Sequence, residues 1–188
     1  MKKKVLMSLV LLAIAGIVFA QTPLSPHKFR YNLLGAGGDM ARYEVRALNN
    51  SIDGVVSIAG VYQQRLITDV AAGGFQNVTG IDYVYIAVTA WGIGQNAFRG
   101  CTGLERVVID RAMVLTIGAN AFAGCTNLVS VTFQTAGLGG NISASAFPGD
   151  LRAKYIAGGS GTYTRRAGSN TWTKESGAFC LSCGHPLP

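Results

Sequence analysis

The sequence predicts a solenoid, in which short repeated units stack along one continuous core. Two stretches, 93–109 and 117–133, read IGQNAFRGCTGLERVVI and IGANAFAGCTNLVSVTF. When Phe98 and Phe122, 24 residues apart, are aligned, the stretches share an Ile, an Ala-Phe pair, a Gly-Cys-Thr turn and a later Leu. A fixed period of this length is typical of stacked repeats.

The period continues in both directions and becomes less regular. Phe75 lies 23 residues before Phe98, and Phe147 lies 25 residues after Phe122, where Pro-Gly-Asp replaces the Gly-Cys-Thr turn. We therefore count two regular and two irregular repeats, about four units of 23–25 residues. Irregular end units are expected, because each end of a stack must cover its apolar face.

Each repeat ends in an apolar pattern, Leu-x-x-Val-x-Ile, that predicts a buried strand. This pattern is the core of the leucine-rich repeat. Its members are Ile81-Val84-Ile86, Leu104-Val107-Ile109 and Leu128-Val131-Phe133. Stacking would align these strands in a short curved parallel β-sheet, with an irregular convex side where the chain returns.

The full unit, I-x-x-x-AF-x-G-C-x-x-L-x-x-V-x-I, resembles the BspA-type (spirochaete-type) leucine-rich repeat. The resemblance is specific over 67–133 and extends to about 157, and 147–174 resembles the closing segment of such proteins. It implies a secreted or cell-surface protein that binds other proteins, often in adhesion to host matrix or to other cells. It implies no catalysis and no cofactor.

Residues 1–20 have the composition of a secretory signal peptide. Three lysines precede an apolar run over 5–19, and small residues, Val18 and Ala20, precede the cleavage position. The apolar run is about fifteen residues, shorter than the roughly 20 that a membrane-spanning helix needs. We expect a mature chain that begins at Gln21, does not span a membrane, and is secreted, surface-bound or periplasmic.

The charge of the chain argues against a nucleic-acid partner. The full sequence has 16 basic and 9 acidic residues and a net charge of +7. Removal of the three signal-peptide lysines leaves 13 basic residues against 9 acidic ones, a net charge of +4. Much of the basicity therefore belongs to targeting, and a nucleic-acid ligand is not expected for an exported protein.

Residues 21–66 are predicted to form a lead-in and a β-rich N-terminal cap. Short strands are expected at 29–34, 43–45 and 55–58, separated by turn residues, and 66–70 leads into the first phenylalanine. The solenoid itself is assigned to 67–157.

Alternate strand positions should face outward and supply the partner-binding surface. These include Tyr83 and Tyr85 in one strand, Arg106 in the next, and Tyr155 at the end of the array. Tyr and Arg are common anchors of protein interfaces, so we predict that a protein partner binds here. The alternative is that Tyr simply suits a strand.

Cys101 and Cys125 occupy equivalent positions in adjacent repeats and should be neighbours. One interpretation is that both are buried free thiols that act as small apolar side chains. The other is a disulfide, which an oxidising compartment favours and which adjacent coils about 5 Å apart permit. We favour the free thiols.

Residues 158–188 form a Gly/Ser/Thr-rich tail that ends in a CxxC motif. The alternation near Trp172 fits a loose hairpin folded on the last repeat, and a flexible tail is the alternative. Cys180 and Cys183 resemble half of a zinc ribbon, but a second CxxC is absent. A redox motif would need a βαβ context. A local disulfide or two idle thiols are the remaining interpretation.

No pattern predicts an enzyme, a metal site or a cofactor site. His27 and His185 lie in terminal loops, and the glycines at 35–38 do not join a strand to a helix. We predict an exported protein that mediates protein–protein interaction, in surface adhesion or in host or cell-surface binding. The alternative is a structural or periplasmic interaction module without catalytic activity, which the small number of repeats favours.

Overall fold

The computed structural model describes residues 28–35, 41–58, 61–86, 90–110 and 116–176. Within them the chain forms a parallel β-solenoid of about 3 turns. The strands are β1 (Phe29–Leu34), β2 (Arg42–Ala47), β3 (Asp53–Ile58), β4 (Val61–Tyr62), β5 (Arg65–Val70), β6 (Gly80–Ile86), β7 (Gly92–Ile93), β8 (Arg106–Ile109), β9 (Thr116–Ile117), β10 (Ser130–Phe133), β11 (Gly161–Thr164) and β12 (Thr173–Lys174). A 3₁₀ turn (Leu138–Asn141) and a helix α1 (Leu151–Gly158) follow β10.

The described strands form two six-stranded sheets on opposite sides of the core. The first has the order β1-β2-β5-β7-β9, with β4 paired to β5, and the second has the order β12-β11-β10-β8-β6-β3. Each coil contributes one strand to each sheet. The predicted solenoid is confirmed, and its return side is more regular than expected. Short strands on the return side make a second parallel ladder, held by backbone hydrogen bonds between successive coils.

The register of the second sheet stacks equivalent apolar residues. One buried row is Val56, Val84, Val107 and Val131, and the next is Ile58, Ile86, Ile109 and Phe133. The predicted strand pattern of the repeat is therefore confirmed, and each repeat buries its apolar face against its neighbours.

A ladder of phenylalanine rings runs along the core. Its members are Phe75, Phe98, Phe122 and Phe147, with successive centroids 5.0, 5.2 and 4.7 Å apart and interplanar angles of 14°, 7° and 5°. Two further rings contact the end members of the ladder: Phe29 meets Phe75 at 60°, and Phe133 meets Phe147 at 77°. Both outer contacts are edge-to-face, an arrangement that aromatic quadrupoles favour.

The turns around these rings explain the fixed Gly and Asn residues of the repeat. The backbone has positive φ two residues before or after the Phe, a conformation that Gly and Asn adopt at least cost. The positions before it are Gly73 (φ 61°), Asn96 (57°) and Asn120 (57°), and those after it are Asn77 (60°), Gly100 (73°), Gly124 (75°) and Gly149 (70°).

The two repeat cysteines are buried free thiols, which confirms the favoured interpretation. The Cys101 thiol donates to the carbonyl of Phe75 at 3.0 Å, and the Cys125 thiol donates to that of Phe98 at 3.1 Å. Each thiol thus bonds to the backbone of the preceding coil. Burial raises the pKa of Cys101 to about 11 and that of Cys125 to about 12, so both stay protonated near neutral pH.

The N-terminal end carries the predicted strands over 29–34, 43–45, 55–58 and 66–70. Strand β1 runs antiparallel to β2 and ends the first sheet. Tyr31 of β1 contacts the rings of Tyr43 and Tyr62, and these two rings also contact each other. Strands β2 and β3 pair in parallel with β5 and β6, so they continue the two ladders of the solenoid.

The C-terminal end is closed by a hairpin, so of the two interpretations of 158–176 the hairpin is confirmed. Strand β11 pairs antiparallel with β10, and β12 pairs with β11. Trp172 is fully buried, and its indole donates to the carbonyl of Pro148 at 2.9 Å. Arg165 donates to the carbonyls of Leu128 (2.6 Å) and Cys125 (3.0 Å), so it ties the closing hairpin to the last regular turn.

The predicted signal peptide, both histidines and the Cys180/Cys183 motif lie outside the described residues, so their interpretations remain predictions. In the part of the chain that is described, no helix is long and apolar enough to cross a membrane.

Candidate functional site

The outer face of the second sheet presents side chains in two rows that run across the strands. The first row is Val55, Tyr83, Arg106, Ser130 and Thr164, and the second is Ser57, Tyr85, Val108, Thr132 and Thr162. Parallel pairing without offset between β6 and β8 makes Tyr83 and Arg106 direct neighbours. The structure therefore brings together three of the four residues that the sequence predicts for partner binding.

We call Val55, Tyr83, Tyr85 and Arg106 the Tyr83 patch. Arg106 is exposed, Tyr83 and Tyr85 are half-buried, and Val55 is 66% exposed. The Tyr85 hydroxyl donates to the Asp110 carboxylate at 2.6 Å, which fixes the orientation of the ring. Burial raises the pKa of Tyr83, an effect that the charge of Arg106 partly opposes. The patch combines two aromatic rings, one of them oriented by a hydrogen bond, with one guanidinium and one apolar side chain.

Sequence reasoning missed Val55 as a member of this patch. A shift of register after Gly54, whose φ is 70°, places Val55 opposite Tyr83 instead of Asp82. The Gly-Val pair at the start of β3 was the available signal, since glycine often marks a β-bulge.

The other half of the same face carries small side chains. Ser130 and Thr164 continue the first row, and the hydroxyls of Thr132 and Thr162 lie 2.9 Å apart in the second. Thr132 and Thr162 are buried. After Arg106 in the first row and Val108 in the second, every side chain is a Ser or a Thr.

The expectation that Tyr155 faces outward from a strand is wrong. Tyr155 lies on α1 and is 2% exposed. Its hydroxyl donates to the carbonyl of Thr135 at 2.9 Å and accepts from the backbone amide of Leu138 at 3.1 Å. The four-residue spacing from Leu151 puts both side chains on one buried helix face, so Tyr155 belongs to the C-terminal closure and not to a surface.

A second surface lies on the first sheet, where sequence reasoning predicted none. One ladder row there is Asn32, Glu44, Asp69, Gly92 and Thr116. The Asp69 carboxylate extends over Gly92, which has no side chain, and a groove opens beside Trp91. We call it the Trp91 groove; it has a volume of about 400 Å³ and is lined by Leu34, Glu44, Asp69, Val70, Ala72, Trp91, Gly92, Ile93, Gly94, Gln95, Thr116 and Gly118.

Polar contacts hold the walls of the Trp91 groove. The Arg42 guanidinium lies 5.1 Å from the centroid of the Trp91 ring, and its Nε is 3.4 Å from the Asp69 carboxylate. That carboxylate also accepts from the Thr68 hydroxyl at 2.6 Å, and Glu44 accepts from the amide of Asn32 at 2.8 Å. The Trp-Gly pair was the only sequence signal of this groove.

Over the described ranges, no three Cys, His, Asp or Glu side chains are grouped so that they could hold a metal ion.

Two parallel ladders of strands wound around a single phenylalanine-lined core define a leucine-rich repeat solenoid. The family model described as BspA type Leucine rich repeat region matches residues 56–159 in 6 copies. The match covers more than half of the chain, and the protein belongs to this family. The family model divides the array into more copies than the four units counted from the phenylalanine spacing.

Two solved structures are similar to the chain. A leucine-rich repeat protein of T. pallidum (TpLRR) shares 24% identity, with a TM-score of 0.47, over 59% of this chain and 50% of that one. A leucine-rich repeat protein of Bacteroides ovatus shares 22% identity, with a TM-score of 0.43, over 56% of this chain and 28% of that one. The chain thus spans half or less of each. No curated protein matches it.

Proposed function

We propose that this protein is an exported, non-catalytic interaction module whose Tyr83 patch binds a protein at a cell surface or in host matrix. The observation that carries the proposal is the direct cross-strand pairing of Tyr83 with Arg106, beside Tyr85 and the exposed Val55. Membership of a leucine-rich repeat family supports protein–protein interaction as the general role.

The composition of the patch supports binding of a protein. Tyr and Arg are the residues most often found at the energetic centres of interfaces. The hydrogen bond between Tyr85 and Asp110 orders one ring before binding, which lowers the entropic cost of association. Val55 is the most exposed of the large apolar side chains in the described residues, and burying it against a partner would add a hydrophobic contribution.

The predicted export of the chain supports a partner at a cell surface or in host matrix. The basic and apolar segments of residues 1–20 have the order that secretion requires, and a mature chain outside the cytoplasm would meet surface and matrix proteins first.

The binding test uses the mature chain, 21–188, against immobilised extracellular-matrix proteins and intact cells. We expect the double variant Tyr83→Ala, Arg106→Ala to bind at least about thirtyfold more weakly, as loss of central interface residues does. The matched control is Ser130→Ala, Thr164→Ala, which truncates the next positions of the same row. Equal loss in both variants, or no binding by the unmodified chain, would contradict the proposed function.

Location is tested separately by protease treatment of intact producing cells, with a parallel immunoblot of the culture medium. We expect the mature protein to be cleaved on cells or found in the medium. Protection until the outer envelope is broken would refute adhesion and leave an interaction role inside the envelope.

A further inference from the structure

We propose that the Trp91 groove is a second binding site, whose ligand is a neutral oligosaccharide. It lies on the first sheet, whereas the Tyr83 patch lies on the second, so it shares no residue with the proposed protein-binding surface. The proposal depends on the chemistry of the groove alone.

The first argument is the position of Trp91. The chain has two tryptophans; Trp172 is fully buried and hydrogen-bonded, whereas Trp91 is 48% exposed. Its backbone and one face of its ring are nevertheless held by neighbouring groups. The backbone amide of Trp91 donates to Thr68 at 2.6 Å, its carbonyl accepts from Thr116 at 2.9 Å, and Arg42 lies above the ring. A fixed, half-exposed indole is a rigid apolar platform on which a flat ligand can stack.

The second argument is the floor beside this platform. A Cβ added at Gly92 would lie 2.6 Å from Oδ1 of Asp69, so this position admits no larger side chain without displacing the carboxylate. The Asp69 carboxylate therefore lies over Gly92, which places a hydrogen-bond acceptor beside the indole. The groove, of about 400 Å³, is within the usual size of small-ligand sites, roughly 300–1,000 Å³.

The third argument is the mixture of donors and acceptors around the ring. Glu44 and Asp69 present carboxylates, Gln95 an amide, Thr116 a hydroxyl, and Arg42 a guanidinium. A pyranose ring has an apolar C–H face that stacks on an aromatic ring, and its hydroxyls both donate and accept at the rim. Such a ligand uses the platform and the rim together.

Other ligand classes fit less well. A purely apolar ligand would remove Glu44 and Asp69 from water without replacing their hydrogen bonds, which is costly. A cationic side chain would be repelled by the Arg42 guanidinium, which lies over one face of the ring and pairs with Asp69. A neutral polyol has neither penalty.

The experiment exploits the difference between the two tryptophans. Because Trp172 is buried, quenching of intrinsic fluorescence by acrylamide reports mainly Trp91. The mature chain is titrated separately with β-1,4-linked glucose, mannose and N-acetylglucosamine hexasaccharides, with isothermal titration calorimetry in parallel. We expect at least one of them to bind and to protect Trp91 from the quencher.

Variants locate the site and identify the ligand chemistry. Trp91→Ala should weaken saccharide binding at least about tenfold, and Trp91→Phe should retain most of the affinity, because a smaller aromatic face remains. Glu44→Gln keeps the hydrogen-bonding shape and removes the charge, so it should change the affinity for a neutral sugar by less than about threefold. Tyr83→Ala, Arg106→Ala should leave saccharide binding unchanged, which separates this test from that of the proposed function.

Two results would overturn the proposal. The first is that none of the three hexasaccharides protects Trp91. The second is that a lysine- and arginine-rich peptide protects it and that Glu44→Gln abolishes this protection, since the groove would then be a cation site.

Discussion

Removal of the Arg165 side chain should strongly destabilise the C-terminal closure. Its guanidinium donates to the carbonyls of Leu128 (2.6 Å), Cys125 (3.0 Å) and Ser169, and it lies 4.9 Å from the centroid of the Trp172 ring. It therefore joins the last regular turn to the closing segment. Burial lowers the pKa of Arg165, yet the guanidinium stays charged because its ordinary value is so high.

The magnitude follows from these contacts. A hydrogen bond from a charged donor contributes about 1.5 kcal/mol at the lower end of its range, and a cation–π contact about 0.5 kcal/mol, so three bonds and one ring contact amount to about 5 kcal/mol. Because Arg165 is partly exposed, water can replace some of these bonds in Arg165→Ala. We expect the free energy of unfolding to fall by about 3 kcal/mol. For a chain of this size, the melting temperature should fall by about 6–12 °C.

The assay is urea denaturation followed by circular dichroism, with Arg166→Ala as the matched control. Arg166 is adjacent and exposed, so its removal changes the net charge equally and should alter stability by less than about 0.5 kcal/mol. Arg165→Lys should lose at least half of the stabilisation, because an ammonium cannot reach three carbonyls as a planar fork does. Equal stability of the Arg165→Ala and Arg166→Ala variants would refute the assigned role of the guanidinium.

Two further predictions concern backbone geometry and thiol chemistry. Gly149→Ala should lower stability by at least about 3 kcal/mol, since φ is +70° and the new Cβ would lie 2.1 Å from the carbonyl oxygen of Asn170. Gly168→Ala, with φ +72° and open space around it, should cost only about 1 kcal/mol, and similar denaturation midpoints for the two would contradict this account. In a Cys180→Ser, Cys183→Ser background, Cys101 and Cys125 should react with a thiol reagent at pH 8 only after unfolding. Since their pKa values of about 11 and about 12 exceed the ordinary 9.0, their contribution to stability should be complete below pH 9 and decline as the pH rises toward 11. Rapid reaction of the folded protein, or stability that rises through this range, would exclude the burial seen here.

The repeat itself could be predicted because each of its constraints recurs in the sequence. Phe98 and Phe122 must stack, the Gly or Asn two residues away must adopt positive φ, and the strand residues must fill the core. Each constraint falls on the same position in successive units, so the period reveals all of them together.

The parts that escaped prediction depend on contacts that occur only once. Tyr155 became helical because the chain closes the stack after Gly149, and no repeated position reports that change. The Trp91 groove unites β1, β2, β5, β7 and β9, whose outward residues follow no common period. Strands β7 and β9 are two residues long and too short to show alternation in the sequence.

The near-parallel stacking of the phenylalanine ladder has a consequence for how such an array can change in length. Successive rings from Phe75 to Phe147 are within 14° of parallel, so each inner ring offers the same kind of face to the unit before it and to the unit after it. A duplicated 24-residue unit, such as the one from Phe98 to Phe122, would therefore find a matching face on both sides. Insertion of a whole unit lengthens the array without changing the ring contacts at either end.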